Sequence, residues 1–336
     1  MNPFVSVVTP AYNTEKYISE CIDSIQNQSY THFEHIIVND GSTDNTARIV
    51  QSYQDSRIKL ISHDQNMGLA HARNTGIENA NGEYIAWLDA DDVAESDRLQ
   101  EQVMHLTDNK KVSVCGSWST HIGEGKDKSV IIKPLSHEEI GNEILFECPF
   151  VISSTMVRKS VYEIERYVTE DNNTMTDYDM WCRLYPDYRM ENLPGTLTHY
   201  RVHSEQMMST IQKNEFRQLF GISVTHLLKR LNLSPEHGDL DAHYHLVYAC
   251  AGDLSTEEAK QVVRWGHRLI SANNYSALFP VLAFRDEVSL RLERFIHRVE
   301  GNLPELRRSY LLSKLLSPHT AGIRSRLSLM KQLVLN

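Results

Sequence analysis

The feature that most constrains this chain is an alternation in its first ninety residues. Apolar, mostly β-branched runs at residues 4–9, 33–38, 58–61 and 84–88 are separated by stretches with helical spacing. Tyr17, Ile18, Cys21, Ile22 and Ile25 share one helical face, and Ala47, Ile49, Val50 and Tyr53 another. A third helix is predicted over residues 69–79. Strand–helix alternation at this pitch means βαβ units and a mainly parallel sheet flanked by helices. Ligands of such sheets bind beyond the carboxyl ends of the strands. The residues just past each run are therefore the first place to look for chemistry.

The fourth run ends abruptly in three acids, Asp89, Asp91 and Asp92. Carboxylates this close repel one another. A hard divalent cation such as Mn²⁺ or Mg²⁺, which prefers oxygen ligands, relieves that repulsion. A solvated acidic turn is the plain alternative. A calcium loop of the EF-hand type is excluded, because its required glycine and its final acid fall on Ala94 and Gln100. Asp89-x-Asp91-x-Val93 also resembles the nucleophile motif of dehalogenase-type phosphatases. Asp40-Gly41 closes the second run and shares the same sheet edge, either as a functional acid or as a simple turn.

Composition narrows the class. The 336 residues suffice for one large domain or two modest ones. A net charge of −10 argues against general nucleic-acid binding. Five cysteines without a CxxC pair indicate neither a zinc site nor a disulfide framework. The opening residues lack the charged start and apolar core of a signal peptide. No apolar run approaches the ~20 residues of a membrane helix. A cytoplasmic protein, or one peripheral on the inner face of the membrane, is expected.

Further along, helices are predicted at residues 96–108 and 137–146, and strands at 112–120, 130–132, 188–193 and 198–202. Residues 149–157 are apolar and β-branched, and residues 123–128 form a polar hairpin loop. Asp177 and Asp179 open a helix whose positive end stabilises them. After residues 204–211 strand signals vanish and helical stripes take over, such as Leu219, Ile222, Leu227, Leu228 and Leu231. This divides the chain into residues 1–205 and a helical region, 206–336, with an accessory, acceptor, membrane or assembly role. Its tail, residues 303–336, carries six basic residues against the single acid Glu305, interleaved with leucines. That pattern suits a surface for anionic lipid, or a terminal helix packed on the domain.

The ordered motifs resemble glycosyltransferase family 2, whose members have the GT-A fold. The matching segments are Val5-Ser-Val-Val-Thr-Pro-Ala-Tyr-Asn13, Val38-Asn-Asp-Gly-Ser-Thr-Asp-Asn45, Asn66-Met-Gly-Leu-Ala-His-Ala-Arg73, Trp87-Leu-Asp-Ala-Asp-Asp92, Tyr178-Asp-Met-Trp-Cys-Arg-Leu184 and Tyr200-Arg-Val-His203. Two βαβ units precede the Asp-x-Asp, an order that counts against the phosphatase. By this resemblance Pro10, Ala11 and Tyr12 would flank a nucleotide base, with Asp40 accepting from a ring N–H. Arg73 would approach the diphosphate, or form a salt bridge on its helix. Asp91 would hold the metal, with Asp89 on the ribose or assisting the metal. Asp92 would share the motif or cap the next segment. His203 would reach the metal or diphosphate, or serve as a hydrogen-bonded histidine at a domain edge.

The family draws its general base from an acid–Asp pair before a Trp-containing helix. Here that pair reads Thr176-Asp177, which makes Asp177 the base, with Asp179 next and Glu170-Asp171 after it. The resemblance implies a metal-dependent, inverting glycosyltransferase of the hexosyltransferase class. It would move a sugar from a nucleotide-diphospho-sugar, a UDP-sugar, to a saccharide or lipid-linked saccharide of a surface polymer. A non-catalytic nucleotide-sugar-binding module is the alternative from another class.

Overall fold

The computed structural model describes residues 2–123, 129–169, 175–206, 212–248 and 254–299. The chain divides into two compact units, Met1–His226 and Leu227–Asn336.

The first unit begins with β1 (Val5–Ala11), α1 (Ile18–Gln26), β2 (Phe33–Asn39), α2 (Thr46–Ser52), β3 (Ile58–Ser62), α3 (Leu69–Asn79) and β4 (Tyr84–Trp87). β1 pairs in parallel with β2 and with β4, and β2 in parallel with β3. Every residue of β1, β2 and β4 is buried, as a sheet covered on both faces requires. On one face Cys21 and Ile25 of α1 pack in a core with Val5, Val7, Tyr84 and Ala86. On the other, Gly76 of α3 lets that helix close onto the sheet. A Cβ there would stand 2.3 Å from a methyl of Val8, so even alanine would force Val8 or the helix to shift. α2 starts at Thr46, where Asp44 Oδ1 accepts from the Thr46 N–H at 2.9 Å.

The unit continues with β5 (Val93–Ala94), α4 (Arg98–Asp108), β6 (Val112–Gly123), β7 (Val130–Ile131), α5 (His137–Glu143), β8 (Met156–Arg158), α6 (Lys159–Tyr162), α7 (Thr176–Leu184) and β9 (Arg189–Val202). The sheet order is β3-β2-β1-β4-β8-β6-β9-β5, with β7 beside β6. The acid-bearing turn is held at both ends. β4 pairs with β1 and β8, while β5 pairs with β9 through Val93–His199 and Ala94–Thr198.

Two segments depart from the sequence expectation. Residues 188–193 and 198–202 form one strand, because the β6–β9 ladder absorbs Pro194-Gly195 with register shifts near Trp118. Of residues 149–157, only Met156 onward is strand; Ile152–Ser154 is a 3₁₀ turn in which Ser154 Oγ donates to the Val151 carbonyl at 2.7 Å. That local bond competes with extended backbone.

The division between the units falls within α8 (Lys213–Arg230). Ile222 is exposed, while Leu219, Leu227, Leu228 and Leu231 are buried. The second unit holds α9 (Asp239–Tyr248), α10 (Thr256–Ser276) and α11 (Val281–Val299). A capping box between Ser255 and Glu258 starts α10. Val262, Trp265 and Leu269 of α10 and Phe284, Val288 and Leu292 of α11 are buried. The Trp265 indole N–H donates to His243 Nδ1 at 3.0 Å. No described helix is long and apolar enough to cross a membrane. Cys21, Cys115, Cys148 and Cys182 are free thiols. Cys250, the centre of the 123–128 loop, the Glu170-Asp171 pair and the basic tail lie outside the described residues.

Candidate active site

A cleft of about 660 Å³ opens at the carboxyl edge of β1, β2 and β4, all within the first unit. Pro10, Ala11 and Tyr12 reach it from the end of β1, and Asp40 from the end of β2. Arg73 enters from the second turn of α3, Asp89 and Asp91 from the turn after β4, Asp177 from α7, and His203 from beyond β9. Residues scattered over nearly two hundred positions thus meet because each lies at a strand end or in the first turns of a helix at one edge. Asp179 and Asp92 are not on the wall.

Asp40 is 3% exposed and held by its own fold. Its Oδ1 accepts from His63 Nδ1 at 2.7 Å and from the Met67 N–H at 2.9 Å, and its Oδ2 from the Gly68 N–H at 2.8 Å. A carboxylate has about four acceptor positions, so Oδ2 keeps one.

Arg73 is 2% exposed. Its Nη1 donates to Thr176 Oγ1 at 2.5 Å, and its Nη2 stands 3.5 Å from Asp89 Oδ1. The guanidinium lies 5.3 Å from the Tyr167 ring centre and 5.9 Å from that of Trp87. Burial opposes its charge, but Asp89, with Tyr167 and Asp177, more than offsets this and raises its pKa. The Arg73 Nε has no hydrogen-bond partner among the described residues.

The acid turn is fixed from several sides. The Asp89 N–H donates to Ser153 Oγ at 3.0 Å. Burial pushes the Asp89 carboxyl up to about 6; Arg73 pulls it down, and Asp91 and Asp177 add to the rise. Asp91 Oδ2 stands 3.1 Å from His203 Nε2. Asp92 is 1% exposed and takes no capping role; its Oδ1 accepts from the Arg201 N–H at 2.8 Å. Burial, then Asp91 and Asp89, raise its carboxyl well above the usual range.

On α7 the two acids face different surroundings. Asp177 is half-buried on the cleft, with Cys148 Sγ 4.0 Å from its Oδ2. Asp179 is buried and paired with Arg183 at 3.0 Å and His226 at 3.1 Å. Two residues along a helix rotate a side chain by about 200°.

Comparisons with known proteins place the chain in a family. The sequence profile of Glycosyl transferase family 2 matches residues 6–164. An uncharacterized glycosyltransferase of Haemophilus influenzae is 32% identical over 246 residues, covering 69% of this chain and 76% of that one. This chain belongs to glycosyltransferase family 2. The enzyme is also 46% identical over 103 residues to TuaG of Bacillus subtilis, a putative teichuronic acid biosynthesis glycosyltransferase. That match spans 30% of this chain and 41% of the relative. The crystal structure of S. aureus TarS 1-349 in complex with UDP-GlcNAc superposes with a TM-score of 0.59 at 19% identity, covering 92% of each chain. The glycosyltransferase therefore has the GT-A-like α/β fold, followed by helices.

Sequence reading missed three supports of this enzyme's cleft. Ser153 holds the backbone of Asp89 from 64 positions away, and no local pattern marks it. His63 holds Asp40. Arg201 sits inside the recognised Tyr200–His203 motif, and its Nε donates to the Asp91 carbonyl at 2.7 Å while its N–H takes Asp92. The polar–basic spacing of that motif was the available signal.

Proposed function

We propose that this glycosyltransferase moves a sugar from a nucleotide-diphospho-sugar, a UDP-sugar, to a hydroxyl of a saccharide or lipid-linked saccharide, with inversion and with Mn²⁺ or Mg²⁺ bound. The observation that carries this reading is the convergence of Asp40, Arg73, Asp89, Asp91, His203 and Asp177 on one cleft. The UDP-GlcNAc complex of TarS supports a uridine donor. The name of TuaG supports an acceptor in surface polysaccharide synthesis.

The donor set fits a divalent cation. Asp91 and His203 meet at 3.1 Å, a carboxylate–imidazole pair suited to Mn²⁺, and Asp89 lines the same cleft. No group of three or more His, Cys, Asp or Glu placed to hold a metal occurs among the described residues. A cation held by one or two protein side chains would be completed by the diphosphate and water, the usual arrangement for such ions. When bound, the cation neutralises charge developing on the leaving diphosphate.

Pro10, Ala11 and Tyr12 flank the base, and Asp40 Oδ2 accepts from its ring N–H. Arg73 is fixed by Thr176 and the aromatic rings beside it, so its charge is aimed at the diphosphate before the donor arrives. Asp89 bonds the ribose or assists the metal. Asp177 takes the proton of the acceptor hydroxyl as that oxygen bonds to the anomeric carbon. The bond from that carbon to the diphosphate oxygen breaks on the opposite face, and UDP leaves.

Residues 1–205 form the donor-binding and catalytic region in this proposal, and the helices after them serve the acceptor, the membrane or assembly. The basic, leucine-rich stretch 303–336 is proposed as a peripheral contact for anionic lipid on the cytoplasmic face. The test of the whole reading is UDP release from UDP-sugars by the full chain, with Mn²⁺ and with EDTA. Slow release without acceptor, abolished by EDTA, is expected. Full activity in EDTA refutes the metal, and no release from any nucleotide-sugar refutes the donor class.

A further inference from the structure

We propose that His63 is a positioning residue for donor recognition, holding Asp40 so that one of its oxygens is left to read the base. This rests on the reading of Asp40 as the base-binding acid. A carboxylate only accepts, so the 2.7 Å contact with Asp40 Oδ1 places a proton on His63 Nδ1. In the neutral ring Nε2 then accepts from the Thr75 hydroxyl at 2.9 Å. Thr75 lies on α3, the helix that carries Arg73, so the ring ties the base acid to that helix. The loop between them is tightly drawn. The His63 N–H donates to the Asn39 carbonyl at 2.9 Å, and the Met67 and Gly68 N–H groups close on the carboxylate. Gly41 has φ +68, and a Cβ there would stand 2.3 Å from the Gln65 carbonyl carbon. With Oδ1 carrying two donors and Oδ2 one, the open position is on Oδ2. An acceptor at that position selects bases that present a ring N–H, such as uracil, over cytosine, whose ring nitrogen there is itself an acceptor.

The test is calorimetric binding of UDP and CDP to the full chain and its variants, with donor KM and kcat measured alongside. In His63→Leu, UDP affinity is expected to fall roughly tenfold, the effect of one lost charge-assisted hydrogen bond. The UDP/CDP ratio narrows and kcat at saturating donor stays within about threefold. His63→Asn puts an amide N–H near the Nδ1 position and restores the ratio. Thr75→Val shifts it in the same direction as His63→Leu, by less, and serves if His63→Leu fails to fold. A wild type that prefers UDP, with both His63→Leu and Thr75→Val keeping the ratio, overturns the proposal alone. A wild type with no preference for UDP overturns the reading of Asp40 and this proposal together.

Discussion

Asp177→Asn and Asp179→Asn make the same chemical change two residues apart, and their surroundings give them opposite consequences. Asp179 is 4% exposed, with Arg183 and His226 on its two oxygens. Burial opposes its charge, yet His226 and Arg183 together hold its carboxyl below the usual range. Removing one partner of a buried ion pair costs about 3–5 kcal/mol. Arg183 keeps its ion pair with Glu165, and asparagine keeps a polar end, so roughly 2–3 kcal/mol is expected here. For a unit of this size that lowers Tm by about 4–12 °C. Among the described residues Asp177 has no such pair, and the Cys148 thiol lies 4.0 Å from its Oδ2. Asp177→Asn should leave Tm within about 2 °C, while transfer falls about 10²–10⁴-fold, the usual effect of losing a general base. Melting curves, together with initial rates at 20 °C where both variants are folded, separate the two effects. Asp179→Asn inactive at an unchanged Tm, with Asp177→Asn nearly fully active, would make Asp179 the base and refute the assignment.

The remaining expectations concern the donor, the metal, pH and the tail. Asp40→Ala should weaken UDP binding by about 1–3 kcal/mol and lower Tm as well, because the Met67 and Gly68 N–H groups lose their acceptor; unchanged UDP affinity by calorimetry counts against the base assignment. Asp91→Asn should abolish transfer without rescue by saturating Mn²⁺, and rescue to wild-type rates would remove it from the ligand set. His35 is fully buried and burial lowers its pKa from 6.5 to about 3. Its neutral form therefore supports the fold above pH 6.5, and that support drains as pH falls from 6.5 toward 3. By pH 5.5 roughly 1 kcal/mol is lost through this residue, so urea unfolding of His35→Gln should show a shallower fall between pH 7.5 and 5.5 than wild type. Deleting residues 303–336 should remove flotation with anionic vesicles at low salt; a full chain that does not float leaves no role for lipid.

Much of the fold was legible because a parallel sheet imposes a strong local pattern. Residues 5–11, 33–39 and 84–87 are buried on both faces, so their apolar runs are nearly continuous. The strand-end positions of Asp40 and Asp89 followed from that alternation alone. Segments whose conformation is set by distant partners were not legible. Pro194-Gly195 looks like a break, yet the β6–β9 ladder carries the strand through it. Ser153 and Ser154 look like part of an apolar strand, yet Ser154 bonds the Val151 carbonyl and the Ser117 N–H at 3.2 Å, and Ser153 takes the Asp89 N–H. His63 resembles any polar loop residue until Asp40, 23 positions away, is placed beside it. Asp177 and Asp179 differ in sequence only by register; what separates them is Arg183 and His226.

The acid turn also shows why such a site is costly to keep. Asp89 is pushed up to about 6 and Asp92 well above the usual carboxylate range, each first by burial and then by its acidic neighbours. The nearby arginines do not neutralise them fully. Arg73 stands 3.5 Å from Asp89, and Arg201 meets the turn through its backbone N–H and Nε while its far end pairs with Glu20. A fold selected only for stability would carry neutral or apolar side chains here, since buried charges seldom repay their desolvation. Any ligand that binds these acids in their ionised form stabilises the protein by mass action, by ~2.7 kcal/mol at a hundredfold its dissociation constant. In the proposed function, a cation and a diphosphate arriving together would relieve the crowding of carboxylates at the end of β4. The charge that weakens the empty fold is, in that proposal, the same charge that would recognise the donor.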